Sequence, residues 1–135
     1  IRPMKPNPSA PQILVVDDSP DAAECLALVL EQEGFRVATA HDGRSALARI
    51  DSDPPDAVLL DLGLPDLDGI VVAQRIRARH DGAAGVLLVA ISGHGADKDL
   101  DATRAAGFDA HLVKPVAPER ILDLLAGRQL TPGPT

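Results

Sequence analysis

The hydrophobic pattern of this chain constrains its fold more than any other feature. Short continuous apolar runs alternate with longer stretches in which apolar residues recur at the 3.6-residue period of a helix. Such runs are typical of parallel strands buried on both faces. The predicted strands are Ile13–Val16, Arg36–Ala40, Ala57–Leu60, Val86–Ile91 and Ala110–Val113. The pattern therefore predicts an α/β fold of five βα units around one parallel sheet, with the half-polar second strand at an edge.

Helices are predicted in the intervals between these strands. They are Asp21–Glu33, Arg44–Ile50, Gly69–Arg79, Asp97–Ala106 and Pro118–Leu125. Gly34 and Gly107 each follow a helix where a left-handed cap is needed. Right-handed crossovers place helices on both faces of an open, doubly wound sheet, and such sheets carry their sites at the carboxyl ends of the strands.

Length and composition fit a single domain. The chain has 135 residues, of which 45% are apolar and only two, Phe35 and Phe108, are aromatic, so the predicted core is aliphatic. We predict a Pro-rich linker or tail over residues 1–11, a folded domain over 12–127 and a disordered tail over 128–135. The lone cysteine, Cys25, lies in a helical pattern and is predicted to be a small buried residue without a redox or metal role.

Charge and hydropathy argue against two classes of partner. The formal net charge is -7 and the basic residues are not clustered, so we expect no direct contact with nucleic acid. No stretch has the length of a membrane span, and no signal segment opens the chain. These features predict a cytoplasmic domain without membrane contact.

Polar side chains follow four of the five predicted strands. Asp17 and Asp18 follow the first strand, Asp61 the third, Ser92 the fourth and Lys114 the fifth. Converging carboxylates repel one another, which suggests a bound cation, and Mg2+ prefers one or two carboxylates beside a phosphate. Asp18 and Asp61 suit direct ligation and Asp17 suits a bound water. Taken alone, Asp18 could equally cap the next helix.

Asp61 is predicted to be the reactive carboxylate. It opens a turn-rich loop that we expect to leave it exposed, and a carboxylate beside a cation can act as a nucleophile. Phosphoryl transfer mainly requires positioning and neutralisation of charge. Mg2+, the Ser92 hydroxyl and the Lys114 ammonium would supply both. Pro115 follows Lys114 and admits a cis peptide bond there.

Together these residues resemble the response-regulator receiver family over roughly Gln12 to Leu125. The resemblance is carried by four motifs: the acidic pair after the first strand, a D-x-x-x-P-x-x-D-G loop that begins at Asp61, Ser92 followed by Gly93, and Lys114 followed by Pro115. Each motif is weak alone, but their order and spacing are specific. The resemblance implies a flavodoxin-like strand order 2-1-3-4-5.

The resemblance also implies a phosphoacceptor function. It implies that Asp61 takes a phosphoryl group from a phosphohistidine on a sensor histidine kinase or a histidine phosphotransfer protein. Mg2+ would be bound by Asp18, Asp61 and the backbone carbonyl of Gly63, with Asp17 supporting the metal. Ser92 would bond the phosphoryl oxygen and Lys114 would pair with it. The domain would catalyse its own phosphoryl transfer and dephosphorylation.

The implied switch residues are Ser92 and His111. In the family an aromatic residue usually stands three positions before the lysine, where this chain has His111. An imidazole can pack and swing as a ring does, but it also titrates near neutral pH, so a switching and a non-switching role both stay open. His94 and Gly63 occupy loop positions that, by resemblance, influence loss of the phosphoryl group. We expect His41 and His80 to be surface histidines.

The parent protein is interpreted first as a hybrid sensor histidine kinase, because the D-L-G-L-P and F-D-A-H-L-V-K-P segments resemble the receivers of such kinases. A free-standing or trimmed response regulator is the alternative, and a pseudo-receiver used only for docking is a distant one. A haloacid-dehalogenase-like phosphatase would need Asp at position 63, and a flavodoxin would need a glycine- and hydroxyl-rich first loop. A homodimer could form through the fourth helix, fifth strand and fifth helix.

Overall fold

The computed structural model describes residues 10–79, 85–93 and 100–131. Its strands form one parallel sheet in the order β2-β1-β3-β4-β5, which confirms the expected order and the edge position of the second strand. The strands are β1 (Gln12–Val16), β2 (Arg36–Ala40), β3 (Ala57–Asp61), β4 (Leu87–Ser92) and β5 (Ala110–Val113). The helices are α1 (Pro20–Gln32), α2 (Gly43–Ser52), α3 (Gly69–Arg77), α4 (Leu100–Ala106) and α5 (Pro118–Gly127).

Helices cover both faces of the sheet, as the apolar strands predict. Successive side chains of a strand point to opposite faces, so Leu14 and Val16 of β1 join one core cluster while Ile13 and Val15 join the other. The first cluster includes side chains from α2 and α3, and the second includes side chains from α1 and α5. The α/β, doubly wound architecture is therefore confirmed.

Short polar side chains and glycines delimit the helices. Asp42 caps α2 by accepting a 2.7 Å hydrogen bond from the backbone N–H of Ser45. Asp68 caps α3 in the same way, at 2.9 Å from the N–H of Ile70. Gly34 and Gly107 have φ values of 101° and 103°, which confirms the left-handed conformation expected after α1 and α4.

Two strands end one residue later than the sequence predicted. Asp61 pairs with Ile91 in register, and Ser92 pairs with Val113, so both polar residues belong to the sheet. Asp61 is consequently only 6% exposed. The expectation of an exposed Asp61 was wrong because the ladder continues through this residue instead of ending at Leu60.

Cys25 lies on the outer side of α1. The buried residues of this helix are Ala23, Ala27 and Leu30, which lie on one face. Cys25 is two residues after Ala23, which places it about 200° around the helix axis, and its side chain is exposed. The prediction of a buried cysteine was therefore wrong.

The ends of the described chain pack against the domain. Ala10 is buried, and its carbonyl accepts a 2.8 Å hydrogen bond from Nε of Arg36. Residues 1–9 and 132–135 lie outside the described part, as do residues 97–99 at the predicted start of α4, so the linker and tail remain predictions.

Within the described ranges, every helix is too short or too polar to span a membrane.

Candidate functional site

Three carboxylates meet at the carboxyl end of the sheet. Asp17 and Asp18 follow β1 and Asp61 ends β3, and one oxygen from each lies within 4.8 Å of the others. The strands β1 and β3 are hydrogen-bonded neighbours, so their ends meet at the same edge. The structure thus brings together the acidic residues that the sequence singled out.

Asp17 is fixed by contacts from the residues that follow it and from the end of β2. It is 9% exposed, and its Oδ1 accepts a 2.9 Å hydrogen bond from the backbone N–H of Ser19. Its own N–H donates to the carbonyl of Ala40 at 3.0 Å, and Nδ1 of His41 lies 3.1 Å from its carbonyl oxygen. Asp18 beside it is exposed and faces solvent. One carboxylate is therefore held in place while its neighbour remains accessible.

Asp61 is bound through both carboxylate oxygens. Oδ1 accepts a 2.8 Å hydrogen bond from the N–H of Gly63, and Oδ2 lies 3.0 Å from Nζ of Lys114. The same ammonium lies 3.5 Å from Oδ2 of Asp17. Lys114 thus crosses from the end of β5 to the acidic cluster, and the peptide bond that joins it to Pro115 is cis.

The charge on Lys114 is favoured by these contacts. Partial burial lowers the pKa of Lys114, but the hydrogen bond and charge of Asp61, followed by those of Asp17, outweigh burial and raise the pKa above the ordinary value for lysine. The ammonium partly neutralises the cluster. Three carboxylates and one ammonium leave two formal negative charges at this end of the sheet.

Ser92 and His111 are in direct contact. Ser92 is 4% exposed, and its Oγ lies 2.6 Å from Nε2 of His111. On the other side of the ring, Nδ1 lies 3.4 Å from Oγ1 of Thr103, a buried residue of α4. A chain of three polar side chains therefore runs from the sheet edge to α4.

The loop after β3 is attached to the start of α2. Oδ1 of Asp66 accepts hydrogen bonds from the N–H groups of Gly43, at 2.7 Å, and Leu67, at 2.8 Å. Its Oδ2 accepts one from the N–H of Arg44 at 3.0 Å. A helix N-terminus favours a carboxylate at this position. The loop that follows Asp61 is thereby anchored.

Sequence reasoning missed three of these residues. Asp66 and Thr103 were not singled out. His41 was expected at the surface, where it lies, but its contact with the carbonyl of Asp17 was not predicted. An acidic residue in a turn-rich loop and a threonine in a helix are too common to be informative alone. His80 and His94 lie outside the described residues.

The fold and the site define an α/β protein in which three carboxylates and one lysine meet at the carboxyl ends of the parallel strands. A sequence model of the family described as the response regulator receiver domain matches residues 13–126. The chain therefore belongs to the response regulator receiver family.

Curated relatives agree with this membership. The probable transcriptional regulatory protein TcrX of Mycobacterium tuberculosis is 38% identical over 110 residues, which cover 82% of this chain and 46% of the relative. The DNA-binding response regulator MtrA of Mycolicibacterium smegmatis is 38% identical over 117 residues, or 87% of this chain and 50% of the relative. The chain thus spans about half the length of these relatives. Their names support the response-regulator alternative better than the hybrid-kinase origin.

A solved structure has the same fold. The chemotaxis response regulator CheY4 of Vibrio cholerae superposes with a TM-score of 0.80 at 26% identity, over 88% of this chain and 98% of that chain. The likeness extends over almost the whole of that regulator.

Proposed function

We propose that this chain is a phosphoacceptor receiver in which Asp61 takes a phosphoryl group from a phosphohistidine. The observation that carries the proposal is the convergence of Asp17, Asp18 and Asp61, whose carboxylate oxygens lie within 4.8 Å of one another. In the same cluster, Oδ2 of Asp61 lies 3.0 Å from the Lys114 ammonium. A buried nucleophilic carboxylate, a cation beside it and further oxygen ligands are the parts that phosphoryl transfer needs.

The donor set fits Mg2+. All three side chains offer carboxylate oxygens, which are the ligands this hard cation prefers, and the cluster with Lys114 has two formal negative charges to match. Asp18 and Asp61 would hold the ion directly, with the Gly63 carbonyl as a further ligand and Asp17 supporting a bound water. Bound Mg2+ would supply charge neutralisation at the phosphoryl oxygens.

The remaining chemistry belongs to residues of the chain. A carboxylate oxygen of Asp61 attacks phosphorus in line, so a P–O bond forms as the P–N bond of the donor breaks and its electron pair returns to the imidazole nitrogen. The product is an acyl phosphate on Asp61. The Lys114 ammonium can pair with a phosphoryl oxygen because it already contacts Oδ2 of Asp61. The Ser92 hydroxyl would donate to another phosphoryl oxygen.

The parent protein is, by this proposal, a response regulator. Its phosphodonor would be a sensor histidine kinase or a histidine phosphotransfer protein. The relatives named as transcriptional or DNA-binding regulators are about twice as long as the matched region, which supports a DNA-binding output region outside this chain. We expect the protein to act in the cytoplasm. Dimerisation through α4, β5 and α5 stays a prediction.

Intact-mass spectrometry after incubation with Mg2+ and acetyl phosphate tests the function. We expect one phosphoryl adduct per chain, formed as acetate leaves, and we expect no adduct to form when EDTA replaces Mg2+ during the incubation. Asp61→Asn should form none. Asp53→Asn is the matched control, because Asp53 is exposed at the end of α2 and away from the site.

An adduct on the native chain and on Asp53→Asn, but not on Asp61→Asn, supports the proposal. An equal adduct on Asp61→Asn would place the reaction elsewhere. Failure of the native chain to form any adduct or to bind beryllofluoride with Mg2+ would favour a pseudo-receiver that serves only for docking.

A further inference from the structure

The contact between Ser92 and His111 joins two side chains that differ in what they can donate. Ser92 has one hydroxyl proton, and a neutral imidazole carries a proton on one nitrogen and a lone pair on the other. Oγ of Ser92 lies 2.6 Å from Nε2 of His111. The identity of the donor in this short bond decides where the serine proton points.

The short distance favours Ser92 as the donor. Hydrogen bonds donated by an O–H span roughly 2.5–3.0 Å, whereas those donated by an N–H begin at about 2.7 Å. The 2.6 Å separation lies below the second range and within the first. With Ser92 as the donor, Nε2 is the acceptor and the ring proton is on Nδ1, which faces Oγ1 of Thr103 at 3.4 Å.

This arrangement sets two acceptors in competition for one proton. A phosphoryl oxygen on Asp61 requires a donor, and the Ser92 hydroxyl cannot donate to that oxygen and to Nε2 at the same time. Ser92 is 4% exposed, so water has little access to compensate for a lost bond. The Ser92–His111 bond must change its direction or break when Ser92 turns to the phosphoryl group.

We propose that His111 is a positioning residue that holds the Ser92 proton in the unphosphorylated protein, and that phosphorylation reverses this bond so that Nε2 becomes the donor to Ser92. The inference rests on the proposed function and names how that same site would be regulated. It assigns His111 a hydrogen-bonding task that an aromatic ring without nitrogen could not perform.

The reversal changes the imidazole tautomer while its charge is conserved. The proton on Nδ1 leaves to solvent and one from solvent arrives at Nε2. His111 is only partly buried and lines a pocket of about 240 Å3 with Thr103, Arg104 and Asp109, which gives the ring access to solvent. Nδ1 then becomes an acceptor for the hydroxyl of Thr103, so the event at Asp61 reaches α4 through a change in bond direction.

Nitrogen-15 NMR of the histidine rings tests this directly, since it shows which ring nitrogen carries the proton. Spectra would be recorded with Mg2+ at about pH 8, above the range in which an imidazole ordinarily gains a second proton, with and without beryllofluoride. We expect Nε2 of His111 to be unprotonated in the free protein and protonated in the complex. His41 is the internal control, because its Nδ1 faces the carbonyl of Asp17, which can only accept.

An unchanged His111 tautomer in a protein that binds beryllofluoride would overturn the inference and leave the proposed function intact. Failure of the native chain to bind beryllofluoride would overturn both. In Ser92→Ala the proton should stay on the same ring nitrogen with and without beryllofluoride, and a persisting change would contradict the role of Ser92.

The His111→Phe variant tests the competition by affinity. Phenylalanine keeps a ring but removes the competing acceptor, so beryllofluoride should bind more tightly, by about two- to tenfold if one neutral hydrogen bond is released. Equal or weaker binding in a folded variant would show that His111 does not restrain Ser92.

Discussion

At the scale of single residues, the Asp66 carboxylate shows how one side chain can anchor the loop that follows Asp61, the proposed phosphoacceptor. The N–H of Gly43 lowers the pKa of Asp66 below its ordinary value of 3.8, partial desolvation opposes this, and the N–H groups of Arg44 and Leu67 lower the pKa further. A carboxyl whose pKa is lower in the folded state stabilises the fold above the ordinary pKa. This stabilisation is lost as the pH falls through the lowered value.

We predict that Asp66→Ala lowers the free energy of unfolding at neutral pH, and that the difference from the native chain shrinks as the pH falls below 3.8. Urea unfolding followed by circular dichroism from about pH 7 down to about pH 3 measures it. Asp53→Ala is the control, because that carboxyl group lies at the C-terminal end of α2, away from the helix N-terminus that Asp66 contacts. A difference that is the same at every pH would show that the Asp66 charge does not stabilise the fold.

The gathering of the site residues was predictable, but their individual contacts were not. Asp17 and Lys114 follow apolar strands, Asp61 ends one, and strand ends of a parallel sheet meet at one edge. The Ser92–His111 bond depends on side-chain rotamers that periodicity does not specify. Asp66 lies 23 positions from Gly43, and nothing in the intervening sequence marks the contact.

At the scale of elements, the junction between β3 and α3 depends on close approach at Gly69. A Cβ at this position would lie 2.9 Å from the backbone Cα of Leu62 and 3.2 Å from the carbonyl oxygen of Asp61. Backbone atoms cannot move aside as a side chain can. The absence of a side chain at the residue that begins α3 therefore allows the backbone of Asp61, the proposed phosphoacceptor, to lie close to the helix.

We predict that Gly69→Ala lowers the free energy of unfolding by about 1–3 kcal/mol through overpacking and slows adduct formation with acetyl phosphate. Gly127→Ala is the matched control, since a Cβ there meets nothing within 4 Å and alanine favours a helix by up to about 1 kcal/mol. Chemical denaturation and time-resolved intact mass give the two readouts. Equal behaviour of the two variants would contradict the steric account.

The elements themselves were largely predictable, with errors of one or a few residues at their ends. The β2 and β5 bounds were predicted as observed, whereas β3 and β4 continue to Asp61 and Ser92 because ladder pairing includes a polar residue that hydropathy assigns to a loop. The burial of Cys25 was predicted wrongly because the apolar residues of α1 are compatible with several overlapping buried faces. Only contact with the sheet selects the face of Ala23 and Ala27.

At the scale of the whole molecule, the βα alternation predicts a doubly wound sheet but does not determine its strand order. Periodicity alone allows several orders of five parallel strands, and the order 2-1-3-4-5 was expected only from the family resemblance. That order places β1, β3, β4 and β5 side by side, so the residues after them share one edge. The topology is thus what assembles the candidate site.

The most direct test of the central claim is to locate the phosphoryl group on the chain. Borohydride reduction after reaction with acetyl phosphate and Mg2+ converts a phosphorylated aspartate to homoserine, which peptide mass spectrometry identifies by position. Our account predicts homoserine at position 61 and intact aspartate at Asp17 and Asp18, which lie in the same cluster. Homoserine at Asp17 or Asp18 with Asp61 unmodified would contradict the assignment of Asp61 as the phosphoacceptor.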